Sequence, residues 1–385
     1  MFSIFSLVLT AAALREALAA PSTRFGAKSM LRSCPPFKGN FTIEQFQLYP
    51  ENGEFDFRSC LLYVSNLYNG TMSIIDPYKR AVVEIVEFPG ISHTPGLFVS
   101  GLEIDTQTGL IAILANSGAA FVTQPAGSDI SGPNIVMLWD PITKKELWRV
   151  NLTDTSKGVY GGFADVELDP AGNVYVNGMF PGTIMKLEKC GRGNVPKVKE
   201  WFLSQPRNTS IAGFGGLAAK DWTLLTHNNA DGRLLKFDMR SPVGKPITIP
   251  MTPNTIFLDS DASYLPPKYN NTVWLISGGP GIRVLRSKDA KWTTAEFVGT
   301  VEKASLGLLP NHLATAVAQI GQGLNMLTIH TGDGVDAFTG GNRTTFPFID
   351  ITDQVEKLLS TASAKCGESQ PFFTEIKQSA SMIRH

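Results

Sequence analysis

The feature that most limits what this chain can fold into is a repeat. Near Gln47 it reads "FQLYPENGEFDFRSC", "LLYVSNLYN", "GTMSIIDP" and "AVVEIVEF", four short strand-like runs in roughly fifty residues. The same order returns from Ser100 ("SGLEIDTQTG", "LIAILANS", "NIVMLWDP", "ELWRVNL") and from Gly162 ("GFADVELDPAG", "NVYVNGM", "GTIMKLEKC", "VKEWFL"). It returns again from Gly213 ("GFGGLAAKDW", "TLLTHNN", "GRLLKFDMR", "PITIPM") and from Ser260 ("SDASYLPPKYNN", "TVWLISG", "GIRVLRSKD", "TTAEFVG"). The sixth unit starts at His312, with "DGVDAFTG" as the expected third strand and "FPFIDIT" as the fourth. One such meander cannot bury both of its faces. Six arranged radially cover each other, which predicts an all-β, six-bladed β-propeller with four-stranded antiparallel blades around a central channel. A pair of sandwiches would not need six units in one strand order. Helical pattern is confined to "DQVEKLLSTA" after Thr352. The expected division is a leader over 1–20, the propeller over 21–352 and a partly helical tail over 353–385.

Composition agrees with a heavily buried fold. Hydrophobic residues make up 43% and charged residues 18% of the 385. Formal net charge is zero with no basic block, so nucleic acid is excluded as an expected partner. The start, "MFSIFSLVLTAAALREALAA", reads as a secretory signal cleaved near Ala19 or Ala20, although it lacks a basic first residue pair and carries Arg15 and Glu16. Its apolar part is too short to span a bilayer, so no stable membrane insertion is expected. Six glycosylation sequons, at Asn40, Asn69, Asn151, Asn208, Asn270 and Asn342, fit that route. Four cysteines permit two disulfides in three pairings. Cys34 with Cys60 is favoured, because it ties the N-terminal segment to the first strong strand. Cys190 with Cys366 is what remains.

In a propeller, the loops approaching each innermost strand and those leaving each second strand meet at one mouth, where sites collect. The repeat nominates Ser100, Phe163, Asp165, Phe214, Ser260, Asp261 and His312 on the approach. It nominates Asn66, Tyr68, Asn116, Asn177, Met179, His227, Asn228, Ser277, His330 and Asp333 on the exit. His227, His330 and Asp165 are the candidates for proton transfer. Asn, Ser and Gly are also what strand ends prefer for turning, which is the plainer account of most of this set. No GxSxG elbow, P-loop or dinucleotide fingerprint is present, and "SGGPG" at Ser277 lies between strands. A metal-dependent lactonase would need converging ligands, for which Asn177 and Asn228 are the candidates beside few acids. No metal or cofactor is expected.

Three runs resemble a family of secreted fungal six-bladed propellers: "FTIEQFQLYPENGEFDFRSCLLYVSNLYNGTMSIIDPYKRAVVEIVEFPGI", "VSGLEIDTQTGLIAILANSGAAF" and "GVYGGFADVELDPAGNVYVNGMFPGTIMKL". The family includes the propeller protein of trichothecene clusters, a skin-yeast allergen and the hetero-Diels–Alderases of tropolone–sesquiterpene pathways. The resemblance implies cofactor-independent cyclisation of an isoprenoid or polyketide intermediate. The leading expectation is the Diels–Alderase branch, in which a tropolone precursor loses water and the resulting quinone methide adds a humulene-type alkene. In the trichothecene branch, the task is ring closure on a sesquiterpene alcohol. A binding propeller without catalysis is the remaining expectation. On this reading the histidines and Asp165 assist dehydration. The asparagines and Ser100 hold oxygen, and Phe163, Phe214 and Met179 form an apolar wall.

Overall fold

The computed structural model describes residues 34–191 and 193–367. The proposed leader lies outside them. Six sheets carry the described chain, antiparallel throughout except that the two residues Met251–Thr252 pair parallel with the outermost strand Ala295–Glu302 of blade five. The innermost strands of blades one to six are Pro50–Asp56, Leu97–Ile104, Gly161–Leu168, Phe214–Lys220, Ser260–Tyr264 and His312–Ile320. Second and third strands are buried almost throughout, as in Leu61–Asn66 and Thr71–Asp76 of blade one, while the outermost Ala81–Val86 alternates outward. This gradient follows from radial stacking, since only the last strand has an open side. The apolar residues gather into six clusters, each between neighbouring blades; Tyr63 and Met72 of blade one, for example, share a cluster with Val99 and Ile113 of blade two.

Blade six departs from the sequence reading. "FPFIDI" forms its third strand, Thr345–Asp350, rather than its fourth, and "DGVDAFTG" is loop. That stretch has glycines and aspartates where a central strand needs apolar alternation. The fourth strand is Phe41–Glu44 from the beginning of the described chain, paired antiparallel with Thr345–Asp350. The ring therefore closes with both ends of the propeller in one sheet, which covers an otherwise open edge. Phe41 stacks on Phe348 with ring centroids 4.6 Å apart. Just before this strand, Cys34 is joined to Cys60, with Cα atoms 5.5 Å apart. Cys190 is exposed and unbridged, while the side chain of Cys366 lies outside the described residues. The helix Thr352–Gly367 follows the last strand and buries Val355 against blades five and six. No helix among the described residues is long and apolar enough to cross a membrane.

One irregularity recurs in every blade. The innermost strand shifts register against the second at Pro50/Gly53, Val99/Leu102, Phe163/Val166, Phe214/Leu217, Ser260/Ser263 and Ala314/Ala316. These are β-bulges, which bend a strand and re-aim its side chains. All six lie near the approach end, so they form one ring around the channel.

Closure should dominate stability. Phe348 is fully buried against Phe41, so Phe348→Ala is expected to cost about 3–5 kcal/mol, measured by denaturant unfolding against the parent.

Candidate functional site

A cavity of about 570 Å³ occupies the mouth, within the range of small-molecule sites. Its floor is made by the bulges. Glu51, Ser100, Ala164, Asp261 and Thr315, from blades one, two, three, five and six, all line it, and each is the first residue inside its bulge. Blade four contributes no floor side chain, because its bulge is Gly215–Gly216. The wall is largely apolar: Leu67, Tyr68, Phe98, Phe121, Val122, Met179, Leu313 and Ile329. Tyr68 meets Phe98 edge-on at 5.5 Å, which fixes that side.

Two loops cover the mouth. One, joining the second strand Ile111–Ser117 of blade two to its third strand Ile135–Asp140, carries the short helix Ala119–Val122. The other, between His330 and Thr345, lines the cavity with Thr331, Gly332, Gly334, Asp336 and Ala337. Its ends are latched together. Arg343 Nε donates to Asp333 Oδ2 at 2.6 Å, and the Tyr49 hydroxyl donates to the same carboxylate at 3.1 Å. The Tyr49 oxygen accepts from Gly341 N at 2.7 Å. Asp333 is thereby held below the usual carboxylate range, chiefly by its bond to Arg343.

The floor is acidic and half-buried. Burial pushes Asp261 up to about 7, with the charge of Asp165 adding to it. Glu51 is raised well above the ordinary glutamate range by burial first, then by Asp261 and Asp165. Its Oε2 is buried with no hydrogen-bond partner. No Lys, Arg or His lines the cavity, so nothing compensates two ionised carboxylates there. The low-energy form of the Glu51–Asp261 pair holds a proton.

The cavity brings together Tyr68, Ser100, Asn116, Met179 and Asp261 of the residues nominated from sequence. The other nominees are placed elsewhere, each with a partner or a packing role. Asn177, His227 and Ser277 occupy the same register position beside the bulge in blades three, four and five. Each reaches the next blade. Asn177 Nδ2 donates to Phe214 O at 2.9 Å, and Ser277 Oγ donates to Thr315 O at 2.7 Å. His227 Nδ1 lies 2.7 Å from Ser260 Oγ, and its ring stacks on Phe257 at 4.3 Å. Burial, and then the charge of Arg283, lowers His227 to about 4, so it is neutral at physiological pH.

His330 is lowered to about 4 by burial and Arg343, and it packs edge-on against His312 at 4.2 Å. Phe163 and Phe214 are core residues of two inter-blade clusters. Asn66 donates to Thr71 and Ser73 within blade one, and Asn228 donates to Asp231 in its turn. Asp165 lies just beneath the floor. It accepts from Asn52 Nδ2 at 3.1 Å, Val166 N at 2.9 Å and Leu217 N at 3.0 Å, joining blades one, three and four. Burial still outweighs those bonds and moves it up to about 7.

Glu51 was missed in the sequence reading. The signal that would have found it is the bulge, which Glu51 opens two positions before Gly53, the residue pairing with Val64, the second strand's last apolar residue. Among the described residues, no group of three or more His, Cys, Asp or Glu is arranged to hold a metal ion. Of the six sequons, Asn40, Asn208, Asn270 and Asn342 are exposed, while Asn69 and Asn151 are half-buried.

Two expectations follow. His227→Ala removes an inter-blade bond and should destabilise by about 1–3 kcal/mol, while ligand affinity of the mouth cavity stays at the parent value in calorimetry. The second concerns pH. Asp165 and Asp261 are both about 7 in the folded protein, above their ordinary value, so the folded state binds these protons more tightly than the unfolded state. That contribution is complete below the unfolded pKa and is lost as pH rises through about 7. The melting temperature should therefore fall between about pH 5 and pH 8, the opposite of a protein held by ionised surface carboxylates.

No protein-family model matches the chain. Among solved structures, the major allergen Mala s 1 of Malassezia sympodialis aligns with a TM-score of 0.68 at 19% identity, covering 82% of this chain and 96% of that one. This likeness shows the fold. Core trichothecene cluster protein 14 of Fusarium sporotrichioides is 30% identical over 344 residues, covering 85% of this chain and 88% of the relative. Trichothecene biosynthesis protein 14 of Trichoderma arundinaceum is 35% identical over 345 residues, covering 85% and 92%. With that identity over nearly its whole propeller, the chain belongs to the family of the trichothecene cluster protein 14, a six-bladed propeller family of fungal secondary metabolism.

Proposed function

We propose that the protein closes a ring on an oxygenated sesquiterpenoid, with Glu51 as the acid and Asp261 as the proton acceptor. The observation that carries this reading is a largely apolar cavity whose bulge-built floor presents two half-buried carboxyls and no cation. An apolar wall takes up a terpene skeleton by burial of its surface. Ser100 Oγ accepts from Asn116 Nδ2 at 2.9 Å, which leaves the hydroxyl proton of Ser100 for a substrate oxygen.

The chemistry balances without redox change. Glu51 gives its proton to an allylic hydroxyl, and the C–O bond breaks with its electron pair on the departing water. A second hydroxyl of the same substrate forms a new C–O bond to the allylic system. The proton of that hydroxyl passes to Asp261. Holding both hydroxyls in one cavity supplies the proximity that solution lacks. Covering loops limit capture of the cation by bulk water.

The trichothecene names of both relatives support ring closure within one sesquiterpenoid. The hetero-Diels–Alder reading begins with the same acid-assisted loss of water, and the acid floor supports it equally at that step. It differs in needing a second, alkene partner. We also place the protein in the secretory pathway, on the Cys34–Cys60 bridge and the four exposed sequons.

Incubation with an allylic sesquiterpene diol should give a cyclic ether and water at a rate above the protein-free control. Glu51→Gln should lower that rate by about 10²–10⁴-fold with substrate binding retained. The singly protonated pair predicts a bell-shaped profile whose acid limb lies at about 7, from Asp261, and whose alkaline limb is set by the raised Glu51. Binding without turnover, in the parent as in the variant, would leave a carrier rather than a cyclase. Turnover seen only with a tropolone precursor and an added alkene would favour the second reading.

A further inference from the structure

Directly below the floor lies a second, smaller void of about 10 Å³, the space of about one water molecule. The two spaces are adjacent along the axis. Glu51, Ala164 and Asp261 face the mouth cavity, and their chain neighbours Asn52, Asp165 and Ala262 line the void. Four carboxyl groups surround it: Glu54 from blade one, Glu103 from blade two, and Asp165 and Glu167 from blade three. No Lys, Arg or His is among its lining residues. Blade five adds Ser263 and Tyr264, and blades four and six add no titratable group.

We propose that this void binds one water molecule, shared by Glu54, Glu103, Asp165 and Glu167, and that the cluster stores protons for the acid pair above it. Two independent observations point to a ligand here. Ser263 Oγ is buried, at 9% exposure, with no hydrogen-bond partner, and Ser263 lines the void. A buried hydroxyl left unpaired costs free energy that one water would recover. The Tyr264 hydroxyl oxygen accepts from Gln319 N at 3.2 Å, which leaves its own proton to donate toward the void.

The distribution of protons follows from the donors. Asp165 accepts from Val166 N, Leu217 N and Asn52 Nδ2, and Glu167 accepts from Ala219 N and Leu168 N. Those bonds pull against burial, which still moves Asp165 up to about 7 and, with the charges of Glu103 and Asp165, raises Glu167 well above the ordinary range. Fewer donors reach Glu54 and Glu103, which are therefore assigned the stored protons. Burial and mutual repulsion raise both well above the ordinary range.

The storage role bears on turnover. After ring closure the proton sits on Asp261 while Glu51 is ionised, so the pair must be reset. Asp165 perturbs both Glu51 and Asp261 electrostatically, and it is the member of the cluster next to the floor. A proton leaving Asp261 toward the cluster, with another returned to Glu51, restores the starting form with no net change.

The store itself is independent of the ring-closing reading; the reset rests on it. Infrared spectroscopy of the full chain at neutral pH, in light and heavy water, tests the store without substrate. The expected result is a deuterium-sensitive carbonyl band of protonated carboxylic acid that persists in Glu51→Gln/Asp261→Asn and weakens in Glu54→Gln/Glu103→Gln. Absence of the band in the parent, or its complete loss in the floor variant, overturns the proposal. So does a stoichiometric metal ion found by elemental analysis, since a cation would replace the protons. For the reset, Glu103→Gln should leave the first turnover at the parent rate and slow later turnovers at least tenfold. Equal slowing of both phases would reduce Glu103 to a structural role, and absence of turnover in the parent would sink the ring-closing reading while leaving the band to decide the store.

Discussion

The structure depends on how six strands share one axis. Their bulges pack against each other so closely that side chains are excluded at several positions. A Cβ on Gly101 would lie 2.6 Å from the Asp165 Cα, and one on Gly216 would lie 2.6 Å from the backbone of Asp261 and Ser263. Blade two thus presses its bulge on blade three, and blade four on blade five. The crowding decides which residues face the channel. In blades one, three and five the first bulge residue lines the mouth cavity and the second lines the void, so one irregularity builds both the floor and the space beneath it.

The same geometry explains why so many polar residues at the mouth are structural. Each blade leaves backbone groups of its innermost strand unpaired at the bulge, and buried polar groups need partners. Side chains of the preceding blade supply them. Asn177 serves Phe214 O and Gly215 O, Asn116 serves Phe163 O, and Ser277 serves Thr315 O. Asn229 does the same for blade five by accepting from Ser260 N at 2.8 Å. These clamps hold the blades in phase, and the floor is rigid because of them.

Much of the architecture was legible because the repeat is a backbone property. Strand order, the mouth and the approximate blade boundaries follow from turn residues and apolar alternation. Blade six misled because its closing strand comes from residues 41–44, some three hundred positions away, and no local pattern announces such pairing. The site was harder to read. His227 looked reactive by type, yet its register places it with Asn177 and Ser277. Aligning the repeats to the bulge, rather than to strand ends, would have shown this. Glu51 sits in "YPENGEF", where it resembles an ordinary turn acid until the bulge turns it inward.

A propeller is well suited to acid chemistry on an apolar substrate for a reason independent of this family. A carboxylic acid stays protonated near neutral pH only where water and cations are kept away. Radial convergence achieves this by geometry, since each acid on the axis is surrounded by five other blades. Here the charge of Asp165 adds to burial in raising Asp261, and the charges of Asp261 and Asp165 add to burial in raising Glu51, so Glu51 is the carboxyl that its neighbours help to keep neutral. The loop latched by Tyr49, Asp333 and Arg343 completes the enclosure from the solvent side. Its ion pair lies outside the cavity lining, so the positive charge of Arg343 is neutralised before it reaches the floor. Had that arginine faced inward, it would have ionised the acids that the channel otherwise keeps protonated.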